Sequence, residues 1–137
     1  MPTVKRNVVN ESGKRKTAIA RVTIVAGKGR VRINKVPVEI LTPESARTKI
    51  MEPLLLSTDL SKDLDIDVDI RGGGYMSRAE AARIAIARAL LKWTKSTSLR
   101  DAFLNYDRGM ISGDPRKKEA KKFGGPGARV RKQKSYR

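Results

Sequence analysis

Leu64-Asp65-Ile66-Asp67-Val68-Asp69-Ile70-Arg71, running into Gly72-Gly73-Gly74-Tyr75-Met76-Ser77-Arg78-Ala79-Glu80, reads as a strand, a glycine turn and the start of a helix. The first eight residues alternate without a break, so Ile66, Val68 and Ile70 share one face and Asp65, Asp67 and Asp69 the other, the period of a half-buried strand. The glycines end that strand. Ser77-Arg78-Ala79-Glu80 then has the form of a capping box, opening an Ala-rich helix that reaches about Thr94. At about 100° per residue, Ala82, Ile86, Ala89, Leu90 and Trp93 cluster on one side of this helix. Arg78, Arg88, Lys92 and Lys95 fall on the other, so one face packs and one is cationic.

Upstream, Ala18 to Val25 is β-branched and closes on Ala26-Gly27-Lys28-Gly29, a strand entering a turn. Arg30 to Asn34 alternates again, with Val31 and Ile33 on one face. After a short extended piece at Pro37 to Leu41, Thr42-Pro43-Glu44 supplies a capping threonine, a proline at the first helical position and an acid in the first turn. The helix it opens carries Ala46, Ile50 and Leu54 at helical spacing, and Pro53 is expected to bend or end it. Downstream, Ser98 to Asp107 reads as a final short helix, and the globular part ends near Gly113. This order predicts an α+β fold: a small, mostly antiparallel sheet covered by helices on one face.

The charge lies mostly outside that fold. Formal net charge is +17 and pI about 10.7 in 137 residues, far beyond what solubility requires and pointing first to nucleic acid. Residues 1–16 carry five bases against Glu11 and read as a basic N-terminal extension; residues 17–113 form the domain, with sixteen bases against eleven acids. Residues 114–137 hold ten bases against Asp114 and Glu119. With little apolar content, this extended basic tail is expected to order only on a polyanionic partner.

Several function classes fall away. Cys and His are both absent, which removes thiolate and imidazole metal ligands and the commonest acid–base catalyst. Three aspartates on one strand face invite a metal, but carboxylates on an exposed strand more often meet cross-strand partners, here Arg21, Arg30 or Arg32. Nucleotide-binding glycine motifs in the required strand-to-helix context are missing, and Glu39, Glu44, Glu52, Asp59 and Asp63 are scattered. The chain therefore reads as no enzyme, with no cofactor and no metal. No apolar run approaches the roughly 18 residues of a membrane span, and Met1 to Ser12 lacks a signal-peptide core, so the expected setting is cytoplasmic.

Two candidate binding features remain. A glycine-rich turn before a helix, as at Gly72 to Ser77, aims backbone N–H groups and the positive helix end at one point, which suits a phosphate oxygen. The same glycines equally serve a tight turn against the sheet; Arg78 favours phosphate. The tail's basic runs fit an address signal or a nonspecific polyanion patch, but Gly124-Gly125-Pro126-Gly127 divides them into two blocks around a bend. Tyr136 adds a ring able to stack on a base or sugar.

Gly13-Lys14-Arg15-Lys16-Thr17-Ala18-Ile19-Ala20-Arg21-Val22, Arg71-Gly72-Gly73-Gly74, Ala85-Ile86-Ala87-Arg88-Ala89-Leu90, Asp114-Pro115-Arg116-Lys117-Lys118-Glu119 and Lys121-Lys122-Phe123-Gly124, in that order, resemble the universal ninth protein of the small ribosomal subunit in its archaeal form. The resemblance covers nearly the whole chain. It implies a left-handed βαβ crossover, which no periodicity reveals, shared with the second domain of the fifth small-subunit protein and with some small-molecule kinases. It implies partners in small-subunit ribosomal RNA, neighbouring proteins of the subunit head and peptidyl-site transfer RNA, with no membrane and no homo-oligomer.

On that resemblance, ribosomal RNA contacts fall to Arg15, Lys16, Gly72, Gly73, Gly74, Arg78, Arg88 and Lys92 in the domain. In the tail they fall to Arg116, Lys117, Lys118, Lys121, Lys122, Arg129, Arg131 and Lys132. The anticodon stem-loop of the transfer RNA falls to Lys134, Ser135, Tyr136 and Arg137. Bacterial members commonly end in Lys-Arg, whereas this chain ends in Tyr136-Arg137, so a lysine contact there does not carry over and stacking by Tyr136 is the alternative expectation. The rival readings are a small-molecule kinase on the related fold and a free nucleic-acid-binding regulator.

Overall fold

In the computed structural model, which describes residues 7–136, the chain runs β1 (Val8–Arg15), β2 (Ala18–Ala26), β3 (Val31–Ile33) and β4 (Val36–Pro37). A 3-10 turn, α1 (Glu44–Leu56), α2 (Thr58–Ser61), β5 (Leu64–Arg71), α3 (Tyr75–Thr94), α4 (Thr97–Tyr106) and α5 (Gly109–Ser112) follow. The sheet order is β1-β2-β5-β3-β4. β1 with β2, β2 with β5 and β3 with β4 pair antiparallel; β3 and β5 are parallel neighbours joined through α1. This is the βαβ unit whose crossover the resemblance makes left-handed.

The alternation of β5 sets the layers. Leu64, Ile66, Val68 and Ile70 are buried beside Ala18, Ala20, Val22 and Ile24 of β2, and α3 lies over them. A fully buried Ile or Val contributes roughly 1.5 to 3 kcal/mol, so this face is one main source of the driving force. The aspartates lie on the open face, where Arg32 donates to both oxygens of Asp67 at 2.8 and 3.0 Å and Arg30 stands 3.8 Å from Asp65. Asp69 is the register partner of Arg21. Asp65 and Asp67 therefore meet arginines, and Asp69 stands across the register from one.

The largest departure from expectation is β1. Val8–Arg15, expected in a basic extension outside the domain, form an edge strand paired with β2 along its whole length. After Val8 and Val9 it holds only polar residues and Gly13, and Gly13 is its one buried residue, so no apolar period marks it. What seats it is Gly13: a Cβ there would lie 2.4 Å from the Ala81 carbonyl oxygen and 2.6 Å from the Ala85 nitrogen. The alanines of α3 and the missing side chain of Gly13 together let helix and strand touch backbone to backbone.

Three local signals also resolve differently. α3 starts at Tyr75 with Gly74 at its N-cap and no side-chain cap. The Ser77–Glu80 capping box is not formed, and Glu80 instead receives Arg15. Thr42 does not cap α1; Pro43 occupies the N-cap after a cis Thr42–Pro43 bond. Pro53 neither ends nor shortens α1, which continues to Leu56. Pro53 and Leu54 are buried, and Ser57 closes the helix by donating to the Pro53 carbonyl at 2.8 Å, so tertiary packing outweighs the roughly 3 kcal/mol penalty of an interior proline.

Candidate nucleic-acid interface

β1 and β2 meet in a two-residue turn at Lys16-Thr17, with Lys16 in the left-handed region at φ 52°. Just before it, Arg15 points inward. Its Nε donates to Glu80 at 2.6 Å, and its Nη1 lies 2.9 Å from Asp114, the first acid of the tail. Asp114 in turn accepts from the Arg116 backbone N–H at 2.9 Å and from the Arg116 guanidinium at 2.6 Å. Arg15 therefore joins hairpin, helix and tail, and through Asp114 seats Arg116-Lys117-Lys118 against Lys14-Arg15-Lys16. Between these two basic runs lies a cleft of about 890 Å3, floored by Thr17 and Ile19.

The electrostatics of the cleft are unbalanced. Six bases line it, and the carboxylates of Glu80 and Asp114 pair with Arg15 and Arg116 alone. Lys14, Lys16, Lys117 and Lys118 have no carboxylate partner among the described residues. Contact with the Lys117 ammonium, and then its Coulombic repulsion, lowers the pKa of Lys14 from its ordinary value. Arg116 holds Asp114 far below the usual carboxylate range, with Arg15 adding to the effect, so this clasp stays charged at neutral pH. Such a site favours a ligand that brings several spaced negative charges, as a nucleic-acid backbone does.

The glycine turn stands next to this cleft. Gly72 and Gly73 have φ of 75° and 71°; a Cβ on Gly72 would lie 2.7 Å from the Thr17 carbonyl oxygen, and one on Gly73 would lie 2.8 Å from the Ala18 Cβ. Both residues are thus required for close packing on the hairpin, whatever else they bind. Gly74 faces open space. Arg78 donates to the Gly72 carbonyl at 3.0 Å, bracing the turn while remaining exposed at the uncapped N-terminus of α3.

Two of the four bases on the expected cationic face of α3, Arg88 and Lys92, are engaged within the molecule, while Arg78 and Lys95 are exposed. Arg88 donates to the carbonyls of Ile111 (2.8 Å) and Ser12 (3.2 Å); Lys92 donates to the Asn10 carbonyl and pairs with Glu11 at 3.0 Å. These two side chains tie the polar strand β1 to the helix. α3 is buried on more sides than its apolar stripe suggests. Arg83, only 7% exposed, lies within 2.6 Å of both Glu52 and Asp107 and joins α1 to the α4–α5 turn. The Arg83 contact lowers the pKa of Asp107.

Beyond Gly113 the described residues contain no helix or strand. Lys122 and Arg129 both pair with Glu119, at 3.3 and 2.9 Å. Arg131 donates to the Phe123 carbonyl, and the Lys132 N–H donates to the Gly124 carbonyl at 2.8 Å, closing a loop at the glycine-proline bend. Lys121, Lys132, Lys134, Ser135 and Tyr136 are exposed. Arg137 lies outside the described residues, as do residues 1–6 of the expected extension.

Sequence reading missed Lys14 as a member of this site. Charge in the Gly13-to-Thr17 run was visible, but only the hairpin, which turns Lys14 toward Lys117, brings the two basic runs together. Arg83 carried no signal that separates it from its exposed neighbours.

The chain matches the family model described as ribosomal protein S9/S16 over residues 13–137. Relatives with the name small ribosomal subunit protein uS9 include one from Methanothrix thermoacetophila, 53% identical over 95% of this chain and 98% of the relative. Another, from Halobacterium salinarum, is 54% identical over 95% and 99%. A third, from Desulfurococcus amylolyticus, is 57% identical over 97% and 95%.

Proposed function

The chain belongs to the ribosomal protein S9/S16 family, and from that membership we propose that it is a structural, non-enzymatic constituent of the small ribosomal subunit that holds ribosomal RNA through the cleft and the tail. The observation that carries this reading is the cleft itself: four lysines without carboxylate partners, two of them close enough for one to disfavour the other's charge. An RNA backbone threading between Lys14-Lys16 and Lys117-Lys118 relieves that repulsion and releases condensed counterions. Arg15 and Asp114 position the cleft. Gly72 to Gly74 and Arg78 extend it toward the helix N-terminus, where backbone N–H groups and the helix dipole favour a further phosphate.

The tail beyond Lys118 carries further ribosomal RNA contacts at Lys121, Lys122, Arg129, Arg131 and Lys132, and its last residues, Lys134 to Arg137, meet the anticodon stem-loop of peptidyl-site transfer RNA. Arg88 and Lys92 act mainly by holding β1 in place. Sedimentation of cell extracts tests the reading: the protein is expected to travel with small subunits and whole ribosomes in the cytoplasm. A population found wholly in the free protein fractions would overturn it in favour of a free RNA-binding regulator.

A further inference from the structure

Phe123 is 92% exposed in the middle of the basic tail. Its surroundings are nevertheless ordered by contacts within the tail. The Phe123 carbonyl accepts from Arg131 at 2.6 Å, the guanidinium of Arg131 stands 6.0 Å from the ring centroid, and the Gly124 carbonyl accepts from Lys132 N–H. Gly125 leaves no room for a side chain, since a Cβ would lie 1.9 Å from the Val130 carbonyl oxygen. The loop thus presents one ring with a cation near one face and solvent on the other, flanked by Lys121, Lys122, Arg129 and Lys132.

A phenyl ring exposed to this degree adds nothing to the core, and an apolar protein pocket around it would have to desolvate the neighbouring cations as well. A nucleotide answers both features at once, because it brings a flat π-face and a phosphate on the same unit. We infer that Phe123 is a stacking residue for a nucleobase whose flanking phosphates lie on the lysines and arginines of the same loop. This rests on the RNA-binding reading above and adds to it the part of the nucleotide that the loop recognises.

The test uses the full chain with a short oligoadenylate and with an abasic ribose-phosphate oligomer of the same length. Phe123→Ala and Phe123→Leu are expected to weaken oligoadenylate binding roughly 5- to 100-fold at fixed salt, with the log-log salt slope unchanged because no phosphate contact is lost. Phe123→Trp is expected to retain affinity, and none of the three should alter binding of the abasic oligomer or the melting temperature. Full affinity in Phe123→Leu would make the ring a general apolar contact and overturn the inference, as would equal losses on both oligomers. Failure of the unmodified chain to bind either oligomer would instead overturn the RNA reading, and the stacking with it.

Discussion

Lys14 of strand β1 and Lys117 of the tail share one cleft, and the Lys117 ammonium holds the Lys14 pKa below its ordinary 10.5. In an isolated protein this repulsion opposes the fold below the folded pKa of Lys14 and is relieved as pH climbs from that value to 10.5. NMR titration of the Lys14 side chain is therefore expected to find it deprotonating below its ordinary value, with Lys117→Ala restoring that value. A bound RNA should raise it. An unshifted Lys14 would remove the crowding from the account.

Gly13→Ala tests how β1 is held. The new methyl would meet the Ala81 carbonyl and the Ala85 nitrogen, both backbone atoms of α3 that cannot rotate away. Overpacking of this kind costs typically about 1 to 3 kcal/mol. Thermal or denaturant unfolding should show that loss, together with faster hydrogen exchange along β1.

The difficulty of reading β1 and the ease of reading β5 have one physical origin. β5 is central and buries every second side chain, so its alternation is printed in Leu64 to Ile70. β1 is an edge strand held by backbone pairing, by Gly13 and by the donors Arg88 and Lys92, none of which leaves an apolar period. The same three features made residues 1–16 look like an extension and α3 look like a free cationic face. In the site, the basic character of Lys14 to Lys16 and Arg116 to Lys118 was legible, but their meeting was not, because it depends on Asp114 reaching Arg15 across a hundred residues of chain. The glycine turn was legible as a motif; its packing on Thr17 and Ala18 was not.

Arg83→Ala should destabilise the domain strongly, since it removes the ion partner of Asp107 and leaves the largely buried Glu52 with only Lys49 at 3.8 Å. Breaking a buried ion pair costs about 3 to 5 kcal/mol, and the lower end applies here because Asp107 is 42% exposed. Arg83→Met should cost less. Because the Asp107 pKa is lowered from 3.8, the stabilisation from its ionised form is present above that pH. It is lost as pH falls from there through the folded value, so acid unfolding followed by circular dichroism should separate wild type from Arg83→Met mainly above pH 4.

Removal of Tyr136 and Arg137 is expected to leave incorporation into subunits intact, because most of the proposed phosphate contacts lie upstream. It should weaken retention of peptidyl-site transfer RNA or lower frame accuracy modestly, on the scale of about 1.5 to 3 kcal/mol for a charge-assisted hydrogen bond. Filter binding on purified subunits and a frameshift reporter measure the two effects. Unchanged retention and fidelity would count against the terminal contact.

Salt dependence of ribosomal RNA binding reads out how many tail cations sit on phosphates. If about eight of the ten tail cations meet phosphates, the full chain and a chain ending at Gly113 should differ in log-log salt slope by roughly −6 to −7. A difference near −2 would contradict an RNA-bound tail, and with it the tail side of the cleft, and leave the β1–β2 hairpin and the glycine turn as the substantial contacts.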